Sequence, residues 1–283
     1  MKHVIPIVYR CDEKYRYFLI NSIISVLKHY KDERPLIFYI CTNDDLDLTP
    51  LDSLQKKYKF TYSLLKIDQS FFNKHDALRQ SQQISLKKYF SFNFSEIVSK
   101  EHNDTTYTFN PFARSKAIIS ASMYFLATTH HDYVITLDSD TIVVANIAEL
   151  YDIDTSNVVA STCRDWGNNP TYFNPSVAVM NIQKFKEIFF KPQGILDELI
   201  AINDMKLTDS VPYCEKVQKA INTVSRDVLI VSREWNVPAT HINICLTPKI
   251  YHFSESWSGN TKVHNIYRDV IDKYLGNDQF EHS

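Results

Sequence analysis

Residues 4–67 alternate between short apolar runs and segments with helical spacing, and that rhythm admits few architectures. The run VIPIVY (4–9) fits a buried strand. Residues 15–30 then place Leu19, Ile23, Val26, Leu27 and Tyr30 at the spacing of one helix face. LIFYI (36–40) reads as a second strand, PLDSLQKKY (50–58) as a helix opened by proline, and FTYSLLKI (60–67) as a third strand. A βαβαβ opening implies parallel strands covered on both faces by helices. The expected fold is therefore α/β, with a Rossmann-like, mixed, mainly parallel sheet.

The rhythm resumes further on. Asn110-Pro111 reads as an N-cap with proline at the first helical position. YVITL (133–137), residues 158–162 and YFNPSVAVMNI (172–182) read as strands. Helices are expected near 183–190, 194–205 and 215–223, late strands at 227–231 and 249–253, and a closing helix at 263–275. Residues 70–107 break the pattern, holding Lys74, Arg79, Lys87 and Lys88 beside the aromatic run YFSFNF. Such an insertion reads as a lid, a partner-binding element or a helical excursion packed on the sheet. Its basic and aromatic mixture leaves a peripheral membrane contact open.

Composition removes several function classes. The net charge of −2 supplies no general basic field for nucleic acid. With only four glycines there is neither GxGxxG nor GxxxxGK[ST], so a diphosphate would have to be held by other means, a metal foremost. No apolar run reaches the roughly 18 residues that cross a bilayer. Cys11, Cys41, Cys163, Cys214 and Cys245 are odd in number and scattered, and the chain opens on a strand-like run. Both features point to reduced thiols and a cytoplasmic location.

The strand YVITL ends in Asp138-Ser139-Asp140, and the chain turns apolar again in TIVVANI. In an extended segment residues i and i+2 share a face, so both carboxylates stand together at the C-terminal end of a buried strand. Open α/β sheets bind ligands at that edge. Two neighbouring anions repel, and one takes up a proton unless a cation lies between them. Oxygen ligands suit Mg²⁺ or Mn²⁺, with phosphate oxygens filling the remaining positions. Asp-Ser-Asp is also ordinary turn chemistry, so a solvated turn stays open. Phosphatases of the haloacid dehalogenase type use Asp-x-Asp after an apolar strand too. They want Thr or Val where Ile142 stands here, and usually carry the motif at the start of the domain.

Taken in order, the motifs resemble family 8 retaining glycosyltransferases, which include bacterial lipopolysaccharide galactosyl- and glucosyltransferases and glycogenin and have the glycosyltransferase A fold. IPIVYRCDEKYRYFLINSIISVL (5–27) is similar to the family's opening strand, acidic turn, tyrosine and helix. The likeness implies that Asp12 accepts a hydrogen bond from uracil and that Tyr15 stacks on the ring, while Lys14 replaces a frequent Asn. Phe112-Ala113-Arg114 resembles Tyr-Ala-Arg at a helix start, which implies a donor-phosphate or sugar contact for Arg114. LDSDTIVVANIAELYDID (137–154) resembles the metal motif, with Asp138 and Asp140 as ligands and Ser139 near ribose or sugar.

YFNPSVAVMNIQKF (172–185) resembles a motif whose Asn, here Asn174, contacts the donor sugar; Ser176 replaces the usual Gly and narrows the space beside it. Asp165 is the nearest match to a carboxylate the family often carries just before. VQKAIN (217–222) stands against Asp-Gln-Asp-x-Leu-Asn. Gln218 and Asn222 match, but Val217 and Lys219 replace both acids, which disfavours a carboxylate nucleophile and favours front-face retention. IYHFSESWSGNTKVH (250–264) resembles His-x-x-Gly-x-x-Lys-Pro-Trp. His252 would complete the metal site, with Gly259 and Lys262 at the diphosphate, although four extra residues precede Gly259 and Val263-His264 replaces Pro-Trp.

The resemblance implies a metal-dependent retaining hexosyltransferase moving glucose or galactose from its UDP-sugar to a glycan or glycolipid acceptor. Gln218, Arg114 and Lys262 would be its catalytic side chains. An imidazole ligand shifts the expected metal from Mg²⁺ toward Mn²⁺. The chain would be one domain, with a nucleotide-binding half over about 1–145, an acceptor half over about 146–283 and the insertion at about 70–107. Two alternatives stay open: a non-catalytic nucleotide-sugar or glycan-binding protein of the same fold, and a sugar nucleotidyltransferase. The latter usually carries a Gly-rich N-terminal loop, which this chain lacks.

Overall fold

The computed structural model describes residues 3–42, 45–66, 122, 125–164, 173–190, 227–253 and 261–280, with backbone only at 173–175 and 190. Strands β1 (Ile5–Arg10), β2 (Leu36–Thr42), β3 (Phe60–Lys66) and β4 (Tyr133–Asp138) pair in parallel, with β1 between β2 and β4. The apolar runs of β1 and β2 are buried because neighbouring strands and helices enclose them. Beyond β4 the sheet continues through β7 (Phe173–Asn181), β6 (Ala160–Arg164) and β8 (Val228–Ile230). β7 runs antiparallel to β4 and β6, whereas β8 is parallel to β6. Only residues 165–172 join β6 to β7, fewer than the dozen or so that a parallel crossover needs. The seven-stranded sheet is thus mixed and mainly parallel, as expected.

Asp12 accepts a hydrogen bond from the Tyr15 amide at 3.1 Å and caps a single 3-10 turn, Glu13–Tyr15. Helix α1 (Arg16–His29) therefore starts one residue later than its apolar spacing predicts. Its middle is buried on all sides: Leu19, Ile20, Ile23, Ile24, Val26 and Leu27, but also Asn21, Ser22 and Ser25. The polar three have partners. Asn21 bonds the backbone of Phe280 in both directions, and Ser25 Oγ accepts from the Val143 amide at 2.9 Å.

That second bond reaches a sheet the sequence pattern did not announce. β5 (Thr141–Val143), β9 (Val237–Pro238) and β10 (Ile250–His252) form a three-stranded sheet in the order β5-β10-β9. β10 is antiparallel to β5 and parallel to β9. The apolar residues after Asp140 are therefore β5, followed by α3 (Ile147–Tyr151), which Asn146 caps. Short helices α2 (Thr49–Gln55) and α4 (Ile182–Phe190) complete the earlier units.

Closing helix α5 (Thr261–Tyr274) buries Val263, Tyr267, Val270 and Ile271, one amphipathic face. Tyr267 packs edge-on against Phe18 of α1 and Phe253 beside β10, both at 4.8 Å between ring centres. Gly276, at φ 56°, supplies the left-handed residue that ends this segment. Strand β6 begins two residues later than expected, and β8 and β10 are each trimmed to three residues. The helices expected at 194–205 and at 215–223, the insertion at 70–107 and most of the helix expected from Pro111 lie outside the described residues; residues 122 and 125–128, in the last part of that helix, are helical. Among described residues, no helix is long and apolar enough to cross a membrane, and Cys41, Cys163 and Cys245 carry free thiols.

Candidate metal and nucleotide site

β4 stops at Asp138, on the C-terminal edge of the parallel strands, because the chain must leave the main sheet to enter β5. Ser139 and Asp140 make that turn. Two bonds fix it from below: Ser139 Oγ donates to the Arg10 carbonyl at 2.7 Å, and Thr141 Oγ1 donates to the Asp138 carbonyl at 2.8 Å. Thr141 also bonds Ser22 Oγ at 3.0 Å, which in turn bonds the Tyr9 hydroxyl at 3.0 Å. A buried chain of hydroxyls thus runs from β1 through α1 to the turn.

The small sheet brings the third group. His252 stands opposite Thr141 in the β5–β10 register, and the Phe253 amide donates to the Asp140 carbonyl at 2.9 Å. His252 is 3% exposed and Asp140 6% exposed. His252 Nε2 lies 3.6 Å from Asp140 Oδ1 and 4.0 Å from Asp138 Oδ2. One donor atom from each of the three residues fits within 4.8 Å of the others.

These separations exceed the ~3.2 Å reach of a direct hydrogen bond. They match the ~3–4 Å between neighbouring ligands around an ion that sits about 2.0–2.2 Å from each donor. His252 Nδ1 is buried with no hydrogen-bond partner among the described residues. Two carboxylate oxygens and one imidazole nitrogen make a donor set that fits Mn²⁺ or Mg²⁺.

The two carboxylates differ in their surroundings. Burial alone would raise Asp138, but the Arg10 charge, then His252 and a hydrogen bond from Ser176, hold it below the usual carboxylate value. Burial raises Asp140, and the neighbouring Asp138 charge adds to that, outweighing the opposite pull of His252. Arg10 was not singled out by any motif. It is the last residue of β1, opposite Asp138 in the β1–β4 register, and its guanidinium pairs with Asp138 Oδ1. Ser176, read from sequence only as a steric change, reaches the same carboxyl.

The remaining expected residues fall into three groups. Asp12 and Tyr15 lie just beyond the C-terminal end of β1; Asp12 caps the 3-10 turn, and the half-buried Tyr15 ring packs 5.7 Å from Phe18. The Ser139 hydroxyl is engaged with β1, and Lys262 stands exposed on the first turn of α5. Asn174 is placed by backbone alone, on β7 opposite Cys163 where the register shifts. Arg114, Asp165, Gln218 and Gly259 lie outside the described residues.

A family model described as glycosyl transferase family 8 matches residues 6–239. No curated protein sequence matches the chain significantly. Among solved structures, the galactosyltransferase LgtC in complex with donor and acceptor sugar analogs is similar over 94% of this chain and 96% of its own, at 11% identity and a TM-score of 0.56. The bifunctional glycosyltransferase WbbM is similar over 99% of this chain and 52% of its own, at 16% identity and a TM-score of 0.59. GlyE of Streptococcus pneumoniae is similar over 95% of this chain and 64% of its own, at 15% identity and a TM-score of 0.57. At such identities the likeness speaks for the fold, which is the glycosyltransferase A fold.

Proposed function

We propose, because this chain belongs to glycosyl transferase family 8, that it moves a hexose from a UDP-sugar to a glycan or glycolipid acceptor with retention at the anomeric carbon. The observation that carries this reading is the convergence of Asp138, Asp140 and His252 at the C-terminal edge of the sheet. UDP-glucose and UDP-galactose are the donors we favour.

In this reading Asp138, Asp140 and His252 hold a divalent cation, Mn²⁺ before Mg²⁺. When bound, the ion would draw off charge from the departing diphosphate, a contribution of several kcal/mol. Asp12 accepts a hydrogen bond from the uracil and Tyr15 stacks on it. Arg114 and Lys262 neutralise the leaving group further, by electrostatic attraction to the charge that gathers there. Ser139, Asn174, Asp165 and Gly259 complete the donor contacts at ribose, sugar and diphosphate.

The bond between the anomeric carbon and the diphosphate oxygen breaks, and the acceptor oxygen bonds that carbon from the same face. The acceptor's proton passes to the departing diphosphate. Gln218 presents its carbonyl oxygen to the positive charge that develops on the sugar. Water has to be kept from the activated carbon, or hydrolysis replaces transfer.

The test is UDP release from a panel of UDP-sugars with Mn²⁺, with and without glycan acceptors. Asp138→Asn keeps the shape of the side chain and removes its charge, so release is expected to fall to background. Turnover equal to the parent's would sink the assignment. Because Val217 and Lys219 replace acids, a second reading is a binding protein without turnover; UDP-sugar bound stoichiometrically with no release would favour it.

A further inference from the structure

Asp138 faces a resident cation. Arg10 Nη2 pairs with Oδ1, which leaves Oδ2 on the side of His252, 4.0 Å from its Nε2. Arg10 and Asp138 are both largely enclosed, with side chains 20% and 27% exposed. The arginine cannot lose its proton, so its charge is permanent. Asp138 and Asp140 carry two negative charges, and Arg10 cancels one of them. The two carboxylates and the guanidinium together hold a single net negative charge.

A divalent ion entering such a place by itself leaves an excess positive charge beside a guanidinium. A diphosphate removes that excess, because it brings at least two negative charges to the same spot. We propose that Arg10 is a positioning residue that makes metal loading depend on the nucleotide: the ion binds weakly to the free protein and tightly only together with a diphosphate. This rests on the metal-site reading given above. Arg10 holds Asp138 by one oxygen, so that carboxylate offers the ion the other, and it keeps the empty site from trapping cations that arrive without donor.

The experiment is a binding cycle by calorimetry. Mn²⁺ is titrated into metal-free wild-type protein, Arg10→Met, Arg10→Gln and Arg10→Lys, each with and without saturating UDP. For wild type, UDP is expected to raise Mn²⁺ affinity by at least about a hundredfold, and Arg10→Lys, which keeps the charge, to follow it. Arg10→Met and Arg10→Gln are expected to bind Mn²⁺ alone at least about tenfold more tightly than wild type, and to gain correspondingly less from UDP.

Circular dichroism identifies any variant that does not fold. The wild-type comparison and the second neutral variant then still decide the matter. Equal Mn²⁺ affinity with and without UDP in wild type overturns the proposal, and so does a neutral variant that binds Mn²⁺ alone no better than wild type. Those results leave the metal site standing. Wild type that binds no Mn²⁺ even with UDP removes the site itself, and the role of Arg10 with it.

Discussion

At one edge of the main sheet Arg34 meets Asp32 and Asp152; at the other, Arg10 meets Asp138 with Asp140 beside it. Each place sets one guanidinium against two carboxylates, yet the two are built differently. Arg34 bonds both oxygens of Asp32, at 2.9 and 2.7 Å, and both of Asp152, at 2.7 Å each. Its planar fork is matched to its acceptors, and the second of them, Asp152, has a half-exposed side chain that water screens. Among the described residues Arg10 pairs with one oxygen of one carboxylate, and the buried Asp140 stands beside Asp138 and His252. Equal charge tallies therefore give a closed clasp in one place and an open candidate cation site in the other. What separates them is how donors match acceptors, and how far water can reach.

The sharpest way to break this comparison is Asp140→Asn. Loss of a ligand charge should cost activity on the order of 10³-fold, because leaving-group stabilisation is lost. The metal-free protein should behave in the opposite sense. A carboxyl whose folded pKa is raised, as burial raises Asp140, destabilises the fold increasingly as pH climbs through that folded value. Asn removes this penalty. Melting in EDTA at pH 7 should show the variant no less stable than the parent, with the gap closing on acidification. Added Mn²⁺ and UDP should stabilise the parent alone. A variant that melts well below the parent in EDTA would make Asp140 a structural residue like Asp152.

A smaller effect tests what backs the open site. The Arg34 clasp orients itself through its own four bonds, whereas the Asp138 turn leans on the hydroxyl chain from Tyr9 through Ser22 to Thr141. Thr141→Val keeps the volume and removes the donor. The buried Ser22 and the Asp138 carbonyl then lose a partner, at a cost of about 1–2 kcal/mol in urea unfolding. Mn²⁺ binding in the presence of UDP should weaken by about threefold to tenfold, since the ligand is held less firmly. Unchanged Mn²⁺ affinity would show that β4 and β10 position Asp138 and Asp140 without the chain.

Much of the scaffold was legible in the sequence, and the reason is local. β1, β2 and β4 are largely apolar runs, and α1 and α5 each carry an apolar set at helical spacing, so short windows reveal them. The small sheet escaped because β5, β9 and β10 are three, two and three residues long, and the strand expected at 249–253 finds its partner β5 more than a hundred positions away. No period can show in so few residues. His252 was found only through its likeness to a family motif, and the sheet explains why that likeness works: the register sets it opposite Thr141. Arg10 stood in plain view in the first motif. Its partner is 128 positions away, and nothing local distinguishes an arginine aimed at Asp138 from one aimed at water. Ser176 taught the same lesson, since its volume was read and its hydroxyl was not.

The mildest test concerns the clasp itself. Arg34→Met removes four hydrogen bonds near the start of β2, far from Asp138, and should cost about 1 kcal/mol of stability, as exposed ion-pair networks do. UDP release and Mn²⁺ binding should stay within about twofold of the parent. The pH dependence has a definite sign. Hydrogen bonding to Arg34, above all other causes, lowers Asp32 to about 2. A depressed carboxyl contributes stability that is fully present above its unfolded value of ~4 and is lost as pH falls through the folded one. The gap between parent and Arg34→Met in urea unfolding should therefore be constant from pH 7 to about 5 and shrink between about 4 and 2. If Arg34→Met instead lowered Mn²⁺ affinity, the two edges would be coupled through β1 and β2, and Arg34 would have to be counted with Arg10 in setting the charge at Asp138.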